Sequence, residues 1–137
     1  SLMRLTVQRV KEASVKVDNK VVGDINNGFL VLIGITHTDT EETAKIAAKK
    51  LCNLRVFEDE NEKMNLSIKD IDGELLIISQ FTLYANTKNG NRPDFLASAR
   101  PEYAEKLYKY FIQLCKEEGI KKRSKQVNLQ VRKYKII

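Results

Sequence analysis

Chemistry in a protein chain needs groups that move protons, attack carbonyls or hold metals, and this sequence offers few of them. It has one histidine, His37. A lone histidine between an apolar run and a helical stretch acts as a general base only if a nucleophile is brought to it, and a solvated turn residue is the plainer reading. No G-x-S-x-G elbow, glycine-rich phosphate loop or local metal-ligand cluster occurs. Glu58-Asp59-Glu60 sets carboxylates side by side, a pattern that fits a solvated hairpin tip better than an acid/base pair. The two cysteines, Cys52 and Cys115, show no C-x-x-C spacing. Both fall on helical faces, so they read as buried thiols in a reducing interior rather than as a disulfide or metal ligands. What remains is Ser79-Gln80-Phe81-Thr82-Leu83, where an apolar run, Leu75 to Ile78, acquires two polar side chains and then a hydroxyl at its carboxyl end. Strand ends are where α/β sites sit, although a strand leaving the core gives the same pattern.

The elements that must position these groups follow from periodicity. β-Branched residues dominate the first forty positions. Val15-Lys16-Val17 alternates, Asp18-Asn19-Lys20 is a turn, Val21 to Ile25 is the returning arm, and Asn26-Asn27-Gly28 supplies a second turn. Phe29 to Ile35 then reads as a doubly buried strand, giving three strands in a meander. The period changes at Ala44, Ala47, Ala48, Leu51 and Leu54, a helical face opposite Lys45, Lys49 and Lys50, with Asp39 and Glu42 as a capping box. Leu75 to Ile78 predicts a central strand. A polar loop occupies 85–98, and Pro101 opens a second helix with Ala104, Leu107, Tyr108, Phe111, Leu114 and Cys115 on one face and Gly119 as its cap. The order is β-β-β-α-β-α, with Val127, Leu129 and Val131 suggesting a last strand.

A chain of 137 residues is one domain's length and buries about two thirds of its unfolded surface. A single α/β domain over 3–137 is expected. Ser1-Leu2 before Met3 reads as a cloning scar. The longest apolar run, Phe29 to Ile33, is too short for a membrane span, and the opening residues carry no signal pattern, so a cytoplasmic location is expected. The net charge of +6 raises the question of a polyanionic partner. Its whole surplus lies in the last segment, where Lys116, Lys121, Lys122, Arg123, Lys125, Arg132, Lys133 and Lys135 face only Glu117 and Glu118. The body before it is neutral.

Five blocks carry a resemblance. They are Met3-Arg4-Leu5-Thr6-Val7-Gln8-Arg9-Val10 with Ala13-Ser14-Val15; Asn53-Leu54-Arg55-Val56-Phe57-Glu58-Asp59; Lys63-Met64-Asn65-Leu66-Ser67; Ser79-Gln80-Phe81-Thr82-Leu83-Tyr84; and Lys88-Asn89-Gly90-Asn91-Arg92-Pro93-Asp94-Phe95. Together, in order and up to about Gly119, they resemble the D-aminoacyl-tRNA deacylase family. The resemblance implies a homodimer with a mostly antiparallel, barrel-like β core and two main helices. It implies hydrolysis, without metal or cofactor, of the ester joining a D-amino acid, or glycine mischarged on alanine tRNA, to the 3′-terminal adenosine of tRNA. In that family the block corresponding to Ser79, Gln80, Phe81 and Thr82 lines the catalytic pocket. Arg9 corresponds to the arginine that braces a Gly-cis-Pro dipeptide reaching in from the other subunit to reject L-amino acids, and Lys88 joins it as a supporting, substrate-binding position.

The segment 120–137 departs from the family pattern, which continues through Thr-Gly-x-Phe-Gly-Ala and Asn-x-Gly-Pro-x-Thr to a closing strand. The two prolines here, Pro93 and Pro101, both follow arginine, so no Gly-Pro dipeptide exists. This divergent tail also raises a second function, a non-catalytic RNA-binding module that grips phosphates through its lysines and arginines. Two accounts of the departure stay open, a genuine divergent tail and a slip of reading frame; for the slip, one permitted coding of Ser124 to Val131, read from its third base, gives Gln-Thr-Gly-Lys-Phe-Ala-Gly, similar to the missing segment. Sequencing the coding DNA checks this. A neighbouring frame beyond residue 120 is expected to encode a Gly-Pro and a closing strand, and its absence ends the idea.

Overall fold

The computed structural model describes residues 3–80, 100–120, 124–129 and 134–136. The chain runs β1 (Arg4–Val10), β2 (Ala13–Val17), β3 (Lys20–Ile25), β4 (Gly28–Gly34), α1 (Glu41–Asn53), β5 (Phe57–Glu58), β6 (Met64–Leu66), β7 (Glu74–Gln80), α2 (Pro101–Glu117), β8 (Ser124–Leu129) and β9 (Tyr134–Ile136). The α/β class with two main helices holds. The described strands form a four-stranded sheet of order β1-β4-β7-β8, a three-stranded sheet β3-β2-β9 and the small β5-β6 hairpin. Pairing is antiparallel except where β7 runs parallel to both β4 and β8.

Three layers follow from the burial pattern. Leu75, Leu76, Ile77 and Ile78 are all fully buried, so both faces of β7 need cover. On one face Leu75 and Ile77 join Phe29, Val31 and Ile33 of β4 in a core completed by α1 and α2. On the other, Leu76 and Ile78 join Leu30 and meet Ala13, Val15 and Ile25 of the second sheet. The helices sit where their stripes predict: Ala44, Ala47, Ala48 and Leu51 of α1 and Ala104, Leu107, Tyr108, Phe111 and Cys115 of α2 are buried. Tyr108 takes its hydroxyl into the core and donates to the carbonyl of Ile77 at 2.6 Å, which satisfies a buried phenol.

Several expectations need correction. The three-strand meander is not formed, because β3 pairs with β2 in one sheet while β4 lies in the other between β1 and β7. The opening residues make a separate strand, β1, and the short β5-β6 hairpin adds two more, so β-β-β-α-β-α undercounts the strands. The turn of the β2-β3 hairpin is the pair Asp18-Asn19, both at positive φ, with Lys20 already opposite Val17. The cap of α1 is Thr40, reciprocated by Thr43, not Asp39 with Glu42. Asp39 is instead fully buried, and its Oδ2 accepts from the Thr36 amide at 2.8 Å and hydroxyl at 3.1 Å. Leu54 leaves the helical face as the C-cap residue and is 38% exposed, because the chain turns away there. On α2, Ile112 is buried and Leu114 only half-buried. Pro101 opens α2, and Gly119 follows its C-cap residue at positive φ, as expected. Val131 lies outside the described residues.

The turn into β4 approaches β7 closely. A Cβ on Gly28 would lie 1.9 Å from the carbonyl oxygen of Glu74, its partner in the parallel ladder. Backbone cannot yield there without parting β4 from β7. Gly28→Ala is therefore expected to destabilise the chain by about 3 kcal/mol, read from the urea midpoint.

Candidate active site

The candidate site is the carboxyl end of β7. The strand leaves the core through Ser79, which is 3% exposed, opposite Ile33 of β4 and Asn128 of β8. Alternation along β7 puts Ser79 on the helix-facing side with Leu75 and Ile77. Gln80 is the last residue of the strand, opposite Leu129. Because β4 and β7 are parallel, the turn Thr36 to Thr40 after β4 leaves from the same end of the sheet. The start of α2 is tied to that turn, as the Tyr103 hydroxyl donates to the carbonyl of Asp39. Asp39 Oδ1 is buried and has no hydrogen-bond partner among the described residues. Asp39 is the residue that sequence reading assigned to the wrong task. Its position just before a helix start resembles a cap, and only the fold shows it clamping the turn.

The other expected site residues divide. Phe81, Thr82 and Lys88 lie outside the described residues. Arg9 is exposed, near the far end of β1, and pairs with Phe29 at the amino end of β4. Its Nη1 donates to the carbonyl of Val56 at 2.6 Å and to Met64 Sδ at 3.4 Å. Phe29 and Ile33 are four residue steps apart along the strand, and β1 and β7 are two strand spacings apart. Arg9 and Ser79 of one chain are thus about 16 Å from each other, too far to share a small substrate. The structure brings Arg9 to the β5-β6 hairpin and not to Ser79.

His37 is exposed in the turn after β4. Glu58-Asp59-Glu60 is at the β5-β6 hairpin tip, where Asp59 Oδ1 accepts from the amides of Asn61 and Lys63 and its Oδ2 from Asn65. Cys52 and Cys115 are free and buried. Among the described residues no group of three or more His, Cys, Asp or Glu is arranged to hold a metal, and no helix is long and apolar enough to cross a membrane. A 260 Å³ apolar hollow lies between β1 and α1, lined by Met3, Leu5, Val7, Ile46, Leu51 and Leu54 among others. Neither Ser79 nor Arg9 lines it.

Comparison with known proteins places this geometry. The family model described as D-Tyr-tRNA(Tyr) deacylase matches residues 6–133. The D-aminoacyl-tRNA deacylase of Clostridium novyi (strain NT) is 60% identical over 116 residues, 85% of this chain and 78% of that one. The D-aminoacyl-tRNA deacylase of Clostridium perfringens (strain SM101 / Type A) is 56% identical over 119 residues, 87% of this chain and 80% of that one. Among solved structures, the c-Myc DNA unwinding element binding protein superposes with a TM-score of 0.83 at 34% identity, covering 98% of this chain and 89% of that one. A probable eukaryotic D-amino acid tRNA deacylase gives a TM-score of 0.73 at 17% identity over 98% and 92%, a likeness of fold alone.

Two carboxylates near this framework titrate below the ordinary range. Asp59 is lowered by the Asn65 side-chain bond first and then by the amides of Lys63 and Asn61. Asp70 is lowered by the Ser67 amide and then by the Ser67 hydroxyl. A depressed folded value means stability that is fully present above the ordinary value of 3.8 and lost as the pH falls through the lower folded values. Urea midpoints are expected to fall on acidification from about pH 5 to about pH 2, and to fall less in the double variant Asp59→Asn, Asp70→Asn.

Proposed function

As a member of the D-Tyr-tRNA(Tyr) deacylase family, this chain is, we propose, a hydrolase of the ester that joins a D-amino acid to the 3′ end of tRNA, a chiral proofreading activity impaired in this form by the absence of a Gly-Pro dipeptide. The observation that carries the reading is the 60% identity to a named deacylase over 85% of the chain, in a fold that ends a buried strand at Ser79. The competing reading, an RNA-binding module, rests on the basic tail alone, whereas the likeness runs through the neutral body.

The chemistry asks little of side chains. An aminoacyl ester is already activated. Holding it beside a water and donating hydrogen bonds to the oxyanion therefore supplies most of the barrier lowering. We assign the pocket to Ser79, Gln80, Phe81 and Thr82, with backbone N–H groups near Phe81 and Thr82 as oxyanion donors and Thr82 positioning the ester. No general base is required of His37, and the terminal ribose hydroxyl of the tRNA assists the proton transfer. Lys88 is assigned to the substrate side. Aminoacyl-tRNA is the partner, and the cytoplasm, where it is used, is the location.

A homodimer reconciles Arg9 with this site. Arg9 and Ser79 are at opposite ends of β4 in one chain, so a shared role requires the Arg9 end of one copy to meet the Ser79 end of another. The apolar hollow beside edge strand β1, with Ile46 and Leu54 exposed at 42% and 38%, is surface that a second copy can cover. Without a Gly-Pro dipeptide to reach across, the wall that rejects L-amino acids is missing.

The test is hydrolysis of D- and L-tyrosyl-tRNA by the full chain. Turnover of the D-ester is expected, with weak discrimination against the L-ester, and Thr82→Ala is expected to lower kcat about a hundredfold. No D-ester turnover above buffer overturns the assignment for this chain.

A further inference from the structure

Two nucleophilic groups lie outside the site described above and far apart in sequence. Cys52 is one residue before the end of α1 and Cys115 two before the end of α2. Both are free and fully buried in the same core. The helices pack on each other, and Asn53, the neighbour of Cys52, is bonded to Glu118, three residues after Cys115, so the carboxyl-terminal turns that carry the two thiols meet. Beside them Lys69 and Glu118 form an ion pair at 3.8 Å, their side chains 30% and 32% exposed. Asn53 Nδ2 donates to Glu118 Oε1 at 3.2 Å. Gly119 is packed against the Lys69 side chain.

We propose that Cys52 and Cys115 are an oxidation site: a two-electron oxidant of the peroxide class converts them to an intramolecular disulfide that staples the carboxyl-terminal turns of α1 and α2. Buried thiols on the meeting ends of two packed helices need only local movement to bond. Access comes from position, since the last turn of a helix has unsatisfied carbonyls and opens more readily than its middle. The Lys69–Glu118 pair and the Asn53 bond close that end, and all three side chains are at the surface.

The two thiols differ in role. The hydrogen bond from Cys115 holds Cys52 below the ordinary thiol range, against the opposing effect of burial. The same bond, followed by burial, pushes Cys115 far up. Cys52 is therefore the attacking sulfur. Its thiolate forms an S–O bond with hydrogen peroxide as the O–O bond breaks, and the departing hydroxide leaves as water with the proton Cys52 gave up. Cys115 then attacks the Cys52 sulfenic acid: the S–S bond forms, the S–O bond breaks, and the hydroxide takes the Cys115 proton. Two thiols and one peroxide become one disulfide and two waters. The loop so closed contains β7, and its constraint on the unfolded chain stabilises the fold.

The experiment treats the full folded chain with hydrogen peroxide, unfolds it in the presence of an alkylating agent and measures intact mass. The expected product is monomeric, lighter by two hydrogens, unalkylated, restored by dithiothreitol, and melts roughly ten degrees higher before unfolding. In Cys115→Ser, Cys52 is expected to accumulate a sulfenic acid that dimedone traps. In Cys52→Ser, Cys115 stays reduced. Alkylation of both sulfurs after treatment overturns the proposal. So does a disulfide found only between chains, or a sulfinic acid formed in its place.

Discussion

The burial of β7 on both faces is the constraint from which the rest of the molecule follows. Four consecutive side chains, Leu75 to Ile78, are removed from water, each worth roughly 1.5–3 kcal/mol. No single layer can cover both faces. The odd positions therefore recruit the helices and the even positions recruit the second sheet, and three layers result. Parallel pairing on both sides of β7 fits the same constraint, because a strand with no solvent face is the kind that parallel sheets use. The Tyr108 hydroxyl on the Ile77 carbonyl fixes α2 against this strand by a directional bond that apolar packing alone does not supply.

The same constraint positions the site. A strand buried on both faces delivers its last residues to one end of the sheet with little freedom, and a polar residue there, such as Ser79, is held as firmly as the core before it. The parallel neighbour β4 ends on the same side, so its following turn, clamped by Asp39 and tied to α2 by Tyr103, frames the exit of the strand. Arg9 belongs to the other end because β1 is antiparallel to β4. Within one chain the fold thus separates two groups that the proposed mechanism uses together, and symmetry between two chains is the simplest way to reunite them.

Much of this was legible in the sequence where a local rule operates. The periods of α1 and α2, the Pro101 start, the Gly119 end, the Asp18-Asn19 turn and the polar ending of the Leu75 to Ile78 run all depend on residues near one another. Strand partnership does not. Asn26-Asn27-Gly28 looks like one more hairpin turn, and nothing within it says that the chain crosses to the other sheet. The cue is Gly28, whose missing Cβ answers to Glu74 far along the chain. The meeting of the α1 and α2 ends that carry Cys52 and Cys115 was invisible for the same reason: each helix shows which face is buried, but not the register in which two helices meet. The block proposed as catalytic was readable only through its likeness to a family, since Ser-Gln-Phe-Thr contains no pairing that chemistry alone marks as reactive.

The tail shows how differently fold and function depend on side chains. Ser124–Leu129 lies beyond the blocks that carry the resemblance, though within the residues 6–133 that the family model matches, and it forms β8, in parallel register with β7 from Leu75 to Gln80. Ladder hydrogen bonds are made by the backbone and are nearly indifferent to the residues that carry them. An altered segment of suitable length can therefore still supply a strand and close an exposed edge that would otherwise invite aggregation. A specificity wall has no such tolerance. In the proposed function it needs a Gly-Pro dipeptide, and both prolines of this sequence follow arginine. The positive charge of the tail belongs to the same division: it comes with the departed segment and not with the neutral body that carries Ser79. Under the proposed function, the charge of the tail is then not what recognises tRNA.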